Sequence, residues 1–215
     1  MEGGWLKVDI TGKMKKRSWC GYIMRFYNIL KIALLSFLIT FSILPSSYSE
    51  DFEKKLLIKK YTELDKLINN GEGYSFYTNE NGTLAWAESY LLESYLDMYI
   101  ATQDKTYLTK FITQADRFIS NMDIFRNYPD YIGRYRYGWS ATKYSVDKKP
   151  MVFLVHTGMI IYPLLKFSYL VKKNNIREYF NVSERYADIS KLALSEFDKQ
   201  FYYDRINDYG YYKWE

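Results

Sequence analysis

Twice in this chain, roughly 70 residues apart, the same local signals follow one another: an apolar helical stretch, a short Asp/Asn turn, a second helix, then an aromatic-rich loop. A helix with one apolar stripe is stable only when that stripe is buried on a neighbour. The repeat therefore constrains the fold to helices packed in pairs. In the first copy the pattern predicts a helix over 84–101, with Thr83 as N-cap, and another over 105–122, with Asp104 in the capping place. Gln103-Asp104 between them has room only for a reversal, so the two helices should lie antiparallel as an αα-hairpin. In the second copy a helix is expected over 157–173, softened at Pro163. Asn174-Asn175 then turns the chain, and 176–200 gives one long helix or two shorter ones. Tyr99 matches Tyr169, and Ala115-Asp116 echoes Ala187-Asp188.

Before the repeat, residues 51–69 place Leu56, Leu57, Tyr61, Leu64, Leu67 and Ile68 three and four apart, the spacing of an amphipathic helix. Asn69-Asn70-Gly71 should end it, because Asn and Gly tolerate the left-handed conformation. Residues 71–83 are turn-rich. Residues 123–151 contain Pro129, Gly133, Gly138 and Pro150, and 134–146 alternates in part and is rich in β-formers, so a long loop with a β-hairpin is expected. A connection of that length is a place to look for function. Residues 201–215 return to aromatic, turn-containing sequence. The expected fold is mainly α: an antiparallel α-hairpin array with small β-hairpin elements in its connecting loops, preceded by an N-terminal hydrophobic helix. The chain ends inside loop-like sequence, which suggests a partial array or a piece of a longer chain.

The hydrophobic segment is 32–44, thirteen apolar or small residues in a row. Lys15, Lys16, Arg17, Arg25 and Lys31 precede it; Pro45 and Ser47-x-Ser49 follow. A basic region, an apolar core and a small-x-small site compose a secretory signal. A spanning helix needs about 20 apolar residues, so cleavage after Ser49 and a periplasmic or secreted product are expected. The alternative is an uncleaved anchor that holds the chain at the inner membrane through 32–44. Met14, followed by Lys15-Lys16-Arg17, is an alternative start. The expected division is 1–49 as leader and 50–215 as helical-hairpin domain.

Charge agrees with that division. Residues 1–49 hold 7 basic and 2 acidic residues, which leaves 23 of each sign in the remainder. The overall excess of positive charge belongs to the leader and is no footprint for nucleic acid. Cys20, the only cysteine, is also in the leader, so the remainder offers neither a disulfide nor a thiolate zinc site. His156 is the only histidine, which excludes a multi-His metal site. No cofactor or metal is expected. Phosphate-loop, dinucleotide and nucleophile-elbow motifs are absent from the sequence.

The segment WAESYLLESYLDMYIATQDKTYLTKFITQADRF, from Trp86 to Phe118, resembles hairpins of the (α/α) toroid, six-hairpin glycosidase-like superfamily. Tyr99, Ala101, Thr102, Asp104, Lys105, Tyr107 and Leu108 fall on the "Y-x-A-T-x-D" and "K-x-Y-L" pattern with which an inner helix of those proteins hands over to its partner. The pattern is shared with other helical arrays such as TPR-like repeats. The resemblance implies a partial (α/α) toroid. The superfamily includes glycoside hydrolases, polysaccharide lyases and the C-terminal domain of glucuronyl epimerases. No catalytic motif of these is matched, and fold alone does not fix function.

Candidate chemistry follows from residue type and place. Aromatics make up 20% of the chain and cluster in the loops, where an aromatic rim suits the C–H faces of sugars; packing of loops onto helix ends is the competing explanation. Trp86 and Trp139 are the candidate platforms. Arg134 and Arg136 share a face if extended and could fork onto a uronate or sulfate, or else pair with Asp130 or Asp123. Glycosidic chemistry needs converging carboxylates, for which Glu88 and Asp130 are the candidates; Glu88 has the alternative of a favourable charge at a helix start. His156 and Tyr144 complete the acid/base set. Glu93 and Asp97, one turn apart, would repel unless solvated or bridged by a cation. Two functions result. One is an exported carbohydrate-active enzyme (hydrolase, lyase or epimerase) acting on a glycan, acidic if the arginines bind it. The other is a non-catalytic helical module that binds a glycan or oligosaccharide or a protein partner, or an inactive fragment of a longer enzyme.

Overall fold

A computed structural model describes residues 46–213, with side chains from Asp51 onward. The chain divides into two compact units, 1–55 and 56–215. The expected leader, with its apolar run 32–44, lies outside the described residues. What is described of the first unit is the opening of helix α1 (Ser46–Leu67), where Lys55 and Asp51 pair at 2.7 Å one turn apart.

In the second unit α1 runs on to Leu67; its Ile58 and Tyr61, and Ile68 just beyond its end, touch the core. Its stripe is only half used: Leu56, Leu57, Leu64 and Leu67 stay exposed. Asn69, Asn70 and Gly71 end the helix with φ of 47°, 58° and 84°, the left-handed stop the sequence anticipates. A π-helical turn (Leu84–Glu88) then leads into α2 (Ser89–Thr102), α3 (Thr106–Ser120) and a single turn, α4 (Asp123–Arg126). After the long loop come α5 (Leu154–Lys173), α6 (Phe180–Ser195) and an antiparallel hairpin, β1 (Phe201–Asp204) with β2 (Tyr209–Tyr212).

α2 and α3 form the first helical hairpin. Gln103 reverses the chain at φ 60°, and the Asp104 carboxylate accepts from the Thr106 N–H at 2.9 Å, so this cap is where the sequence places it. Gln114 reaches back to the Tyr95 hydroxyl at 2.9 Å, on the opposite side of the turn. α5 and α6 repeat the arrangement, with Ser168 Oγ donating to the Ser183 carbonyl at 2.7 Å. α2 lies along α5 in the same direction: Trp86 meets His156 at one end, and Lys166 meets Glu93 and Asp97 further along. The cation between those two carboxylates is thus the chain's own Lys166, at 3.0 and 2.7 Å. The two hairpins are joined by buried aromatics. Phe111 stacks on Phe167 with centroids 4.8 Å apart and planes 2° from parallel, and Tyr186 packs on both. Pro163 lies inside α5 and does not break it. α5 is long and apolar enough to cross a membrane by length and composition, but half of it faces this core.

Two local expectations fail. Thr83 does not cap: its own backbone is helical and its side chain makes no cap bond. Asn79 takes the role from six residues away, its Oδ1 accepting from the Ala85 N–H at 3.1 Å. Nor do residues 134–146 form a β-hairpin. Their backbone groups are bonded elsewhere: Gly138 and Arg136 carbonyls accept from Asp123 and Ile124, and the Tyr137 N–H goes to Glu196. Only an isolated bridge, Ala141 to Met151, forms there. Alternation of β-formers signals a strand only when a second strand is free to pair. The hairpin appears instead at 201–212, where Asp204 Oδ1 accepts from the Ile206 and Asn207 N–H groups and closes the turn.

Candidate functional site

The end of the molecule where α5 begins and the π-helical turn leads into α2 brings Trp86, Tyr144 and His156 together. The His156 ring is buried, 2% exposed. Trp86 packs against it edge-on, with centroids 5.5 Å apart, and so does Tyr144, at 5.1 Å. Phe153 closes a third side at 5.3 Å. Trp86 and Tyr144 also converge on Gly82, where φ is 78° and a Cβ would lie 2.7 and 2.8 Å from their rings. A side chain at that position would displace both rings.

Both ring nitrogens of His156 lie within hydrogen-bond distance of a neighbouring nitrogen. The Trp86 indole N–H donates to its Nε2 at 3.2 Å. Asn79 Nδ2 lies 3.2 Å from its Nδ1. The Asn79 amide is oriented by two other bonds, Oδ1 from the Ala85 N–H and Nδ2 to the Trp139 carbonyl at 3.0 Å. Each ring nitrogen therefore faces a donor. A neutral imidazole has one lone pair to offer and a cation has none. Burial and the two donors act in the same direction, and burial holds the pKa of His156 below its ordinary value.

The indole of Trp86 is 40% exposed. Its open side lines a groove of about 360 Å³ between α1 and α2, with Tyr61, Leu64, Ile68, Tyr74 and Tyr90. Tyr61 is held by a hydroxyl contact of 2.6 Å with Ser94.

Glu88 stands behind this groove, fully buried. Its Oε2 accepts from the Tyr74 N–H at 2.6 Å. Burial pushes its pKa up to about 7 against the opposing pull of that N–H and of Arg117. Asp130 belongs to a different constellation. Its Oδ1 accepts from the Ile132 and Arg134 N–H groups, and its Oδ2 pairs with Arg134 Nε at 3.0 Å and Arg136 at 3.6 Å. Arg136 is also paired to Glu196 at 2.7 Å, so the two arginines are bound into a chain of charges that ties the long loop to the end of α6. Asp130, Arg134 and Arg136 line a second cavity of about 270 Å³ with Tyr131, Phe153, Phe197 and Tyr212. Glu88 and Asp130 share no partner. Trp139 is core: 1% exposed, its indole N–H on the Phe118 carbonyl at 2.9 Å and its ring against Phe118, which leaves no open face.

The structure thus brings three of the sequence candidates into one cluster (Trp86, Tyr144, His156), three into another (Asp130, Arg134, Arg136), and leaves Glu88 and Trp139 buried apart. Asn79, Tyr74, Tyr90, Gln114 and Glu196 escape sequence reasoning. The only local hint is the Asn79-Glu80-Asn81-Gly82 turn, which marks Asn79 as a turn residue and not as a hub. Among the described residues no group of three His, Cys, Asp or Glu side chains gathers in a form able to hold a metal ion. No family model, curated protein or solved structure matches the chain closely enough to carry an argument about it.

Proposed function

We propose that this chain is an exported glycan-binding domain, built as a partial (α/α) toroid of helical hairpins, in which Trp86 is a fixed platform for a sugar ring. The observation that carries this reading is the state of Trp86. The ring is half exposed, lines a groove, and is anchored at its only polar atom by His156. An anchored ring loses little freedom on binding, so stacking energy goes into affinity. Tyr90 and Tyr74 extend the aromatic wall.

The carbohydrate-active enzyme is the second reading, with Glu88, Asp130, His156 and Tyr144 as its acid/base residues. Binding is favoured over turnover by their surroundings. Glu88 is fully buried, Asp130 is occupied by two N–H groups and two arginines, and His156 faces a donor at each nitrogen. The test is titration of the full-length protein with a panel of neutral and acidic oligosaccharides, combined with product analysis. Saturable binding without product, weakened about fivefold or more by Trp86→Ala and less by Trp86→Phe, supports the binding reading, since aromatic stacking is worth about 1 kcal/mol. Turnover that is lost in both Glu88→Gln and His156→Ala would replace it with the enzyme.

A further inference from the structure

The internal repeat is closer in the structure than in the sequence. Every buried position from Leu84, in the π-helical turn, to Tyr99 of α2 has a buried counterpart 72 residues on, from His156 to Val171 of α5. The turns keep the same shift, since Gln103 and Asn175 both adopt positive φ, 60° and 52°. Tyr169 therefore answers to Asp97 and not, as the sequence suggests, to Tyr99. Glu93 and Asp97 mark the side of α2 on which α5 lies, because Lys166 of α5 bridges them. Their counterparts on α5 are Leu165 and Tyr169, which are 40% and 60% exposed. The side that receives a helix in the first repeat is thus apolar and open to solvent in the second.

That side has the form of a helix seam. Val155, Gly158, Tyr162, Leu165 and Tyr169 follow one another at three, four, three and four residues, the heptad spacing at which two helices interlock. The four with side chains are all exposed, and at Gly158 an added Cβ would meet nothing within 4 Å. From Leu154 to Val171 the one charged residue is Lys166, and Glu93 and Asp97 already hold it. A helix face turned only to water carries charged and polar residues instead.

We propose that α5 is the interface of a two-fold homodimer, in which this seam packs antiparallel on the same seam of a second copy. The spacing is self-complementary in that direction. When Tyr162 lies opposite Leu165 of the second copy, Gly158 lies opposite Tyr169, so a large ring enters the space left by a glycine, and the two-fold axis repeats each pair. A parallel pair would set Gly158 against Gly158 and leave a gap. It would also bring Lys172 and Lys173 of both copies together in the last turn, where like charges repel. The antiparallel pair keeps those lysines at opposite ends.

The experiment uses the full-length protein carrying Cys20→Ser, in mild detergent, with single cysteines placed on the seam. Gly158→Cys and Tyr169→Cys, oxidised separately, should run as monomers on a non-reducing gel; mixed, they should give a disulfide-linked dimer. Each cysteine alone lies about 16 Å along the seam from its own symmetry mate, at about 1.5 Å per residue, which is beyond the reach of a disulfide. Self-links at each position would mean a parallel pair, and no link in the mixture would mean no pair at this face; either overturns the proposal. Sedimentation gives a second reading. Leu165→Glu puts a charge into the seam at a residue exposed in the single copy, so the circular dichroism should stay as it is while association weakens about tenfold or more. A wild type that sediments as a monomer, or a dimer that Leu165→Glu leaves unchanged, overturns the proposal. A monomer whose seam is quenched by spin-labelled detergent would overturn it in favour of a lipid surface. Neither readout involves a glycan, so the fate of the Trp86 reading is a separate outcome.

Discussion

Asn79→Ala tests the hub on which Trp86 and His156 depend. Asn79 is 1% exposed and holds three groups at once: the Ala85 N–H at 3.1 Å, the Trp139 carbonyl at 3.0 Å and the neighbourhood of His156 Nδ1 at 3.2 Å. The first bond acts as a helix cap, worth about 1 kcal/mol. The second leaves a buried carbonyl unmet when removed, which costs about 1–3 kcal/mol. The expected loss is about 2–4 kcal/mol, a large fraction of the stability of a domain, typically about 5–15 kcal/mol. Urea unfolding at constant pH, followed by circular dichroism, measures it as a lower midpoint with an unchanged slope. Asn79→Asp separates the cap from the conflict at His156. The carboxylate still accepts from Ala85 but now also accepts from the imidazole, so the pKa of His156 should rise. A loss below about 0.5 kcal/mol in Asn79→Ala, or a His156 titration unmoved by Asn79→Asp, would refute the hub.

Two further outcomes are expected. Asp123 is fully buried, its Oδ2 accepting from the Ser140 N–H at 2.8 Å and the Ser140 hydroxyl at 2.5 Å while Oδ1 is unmet; burial pushes its pKa up from 3.8 to about 6. A carboxyl raised on folding stabilises most when protonated, so its contribution is complete below the unfolded pKa, falls as pH rises through about 6 and levels off above it. The span is about 3 kcal/mol, and the descent should be present in wild type and missing from Asp123→Asn in denaturant midpoints taken from pH 4 to 8. Phe111→Ala removes a fully buried ring that stacks on Phe167 between the hairpins, and should cost about 3–5 kcal/mol; a cost under about 1 kcal/mol, measured the same way, would mean that the hairpins do not depend on this stack.

Local signals carry the elements. The Asn69-Asn70-Gly71 stop and the Asp104 cap each concern groups a few residues apart, and the structure forms them as read; the three-and-four spacing in 51–69 gives a helix over Ser46–Leu67, though half of its stripe stays exposed. Where a prediction needs knowledge of a distant partner, it fails or falls short. Residues 134–146 have strand-like composition, but Asp123, Ile124 and Glu196 take or supply their backbone bonds. Trp139 looks like a platform because it lies in a loop, yet Phe118 and its carbonyl bury it in the core. Arg134 and Arg136 look available, yet Asp130 and Glu196 bind them.

The amino-acid sequence by itself determined that the chain makes paired helices and where it turns, at Asn69-Asn70-Gly71 and Gln103-Asp104, because turn conformation and amphipathic spacing are decided within a turn or two of the chain. Only the tertiary structure decided which side chains meet. Asn79 reaches Trp139 across 60 residues and His156 across 77, and Trp86 reaches His156 across 70. Those distances close only after the hairpins have packed, and a side chain's protonation, exposure and partners are properties of the packed neighbourhood, not of the residue.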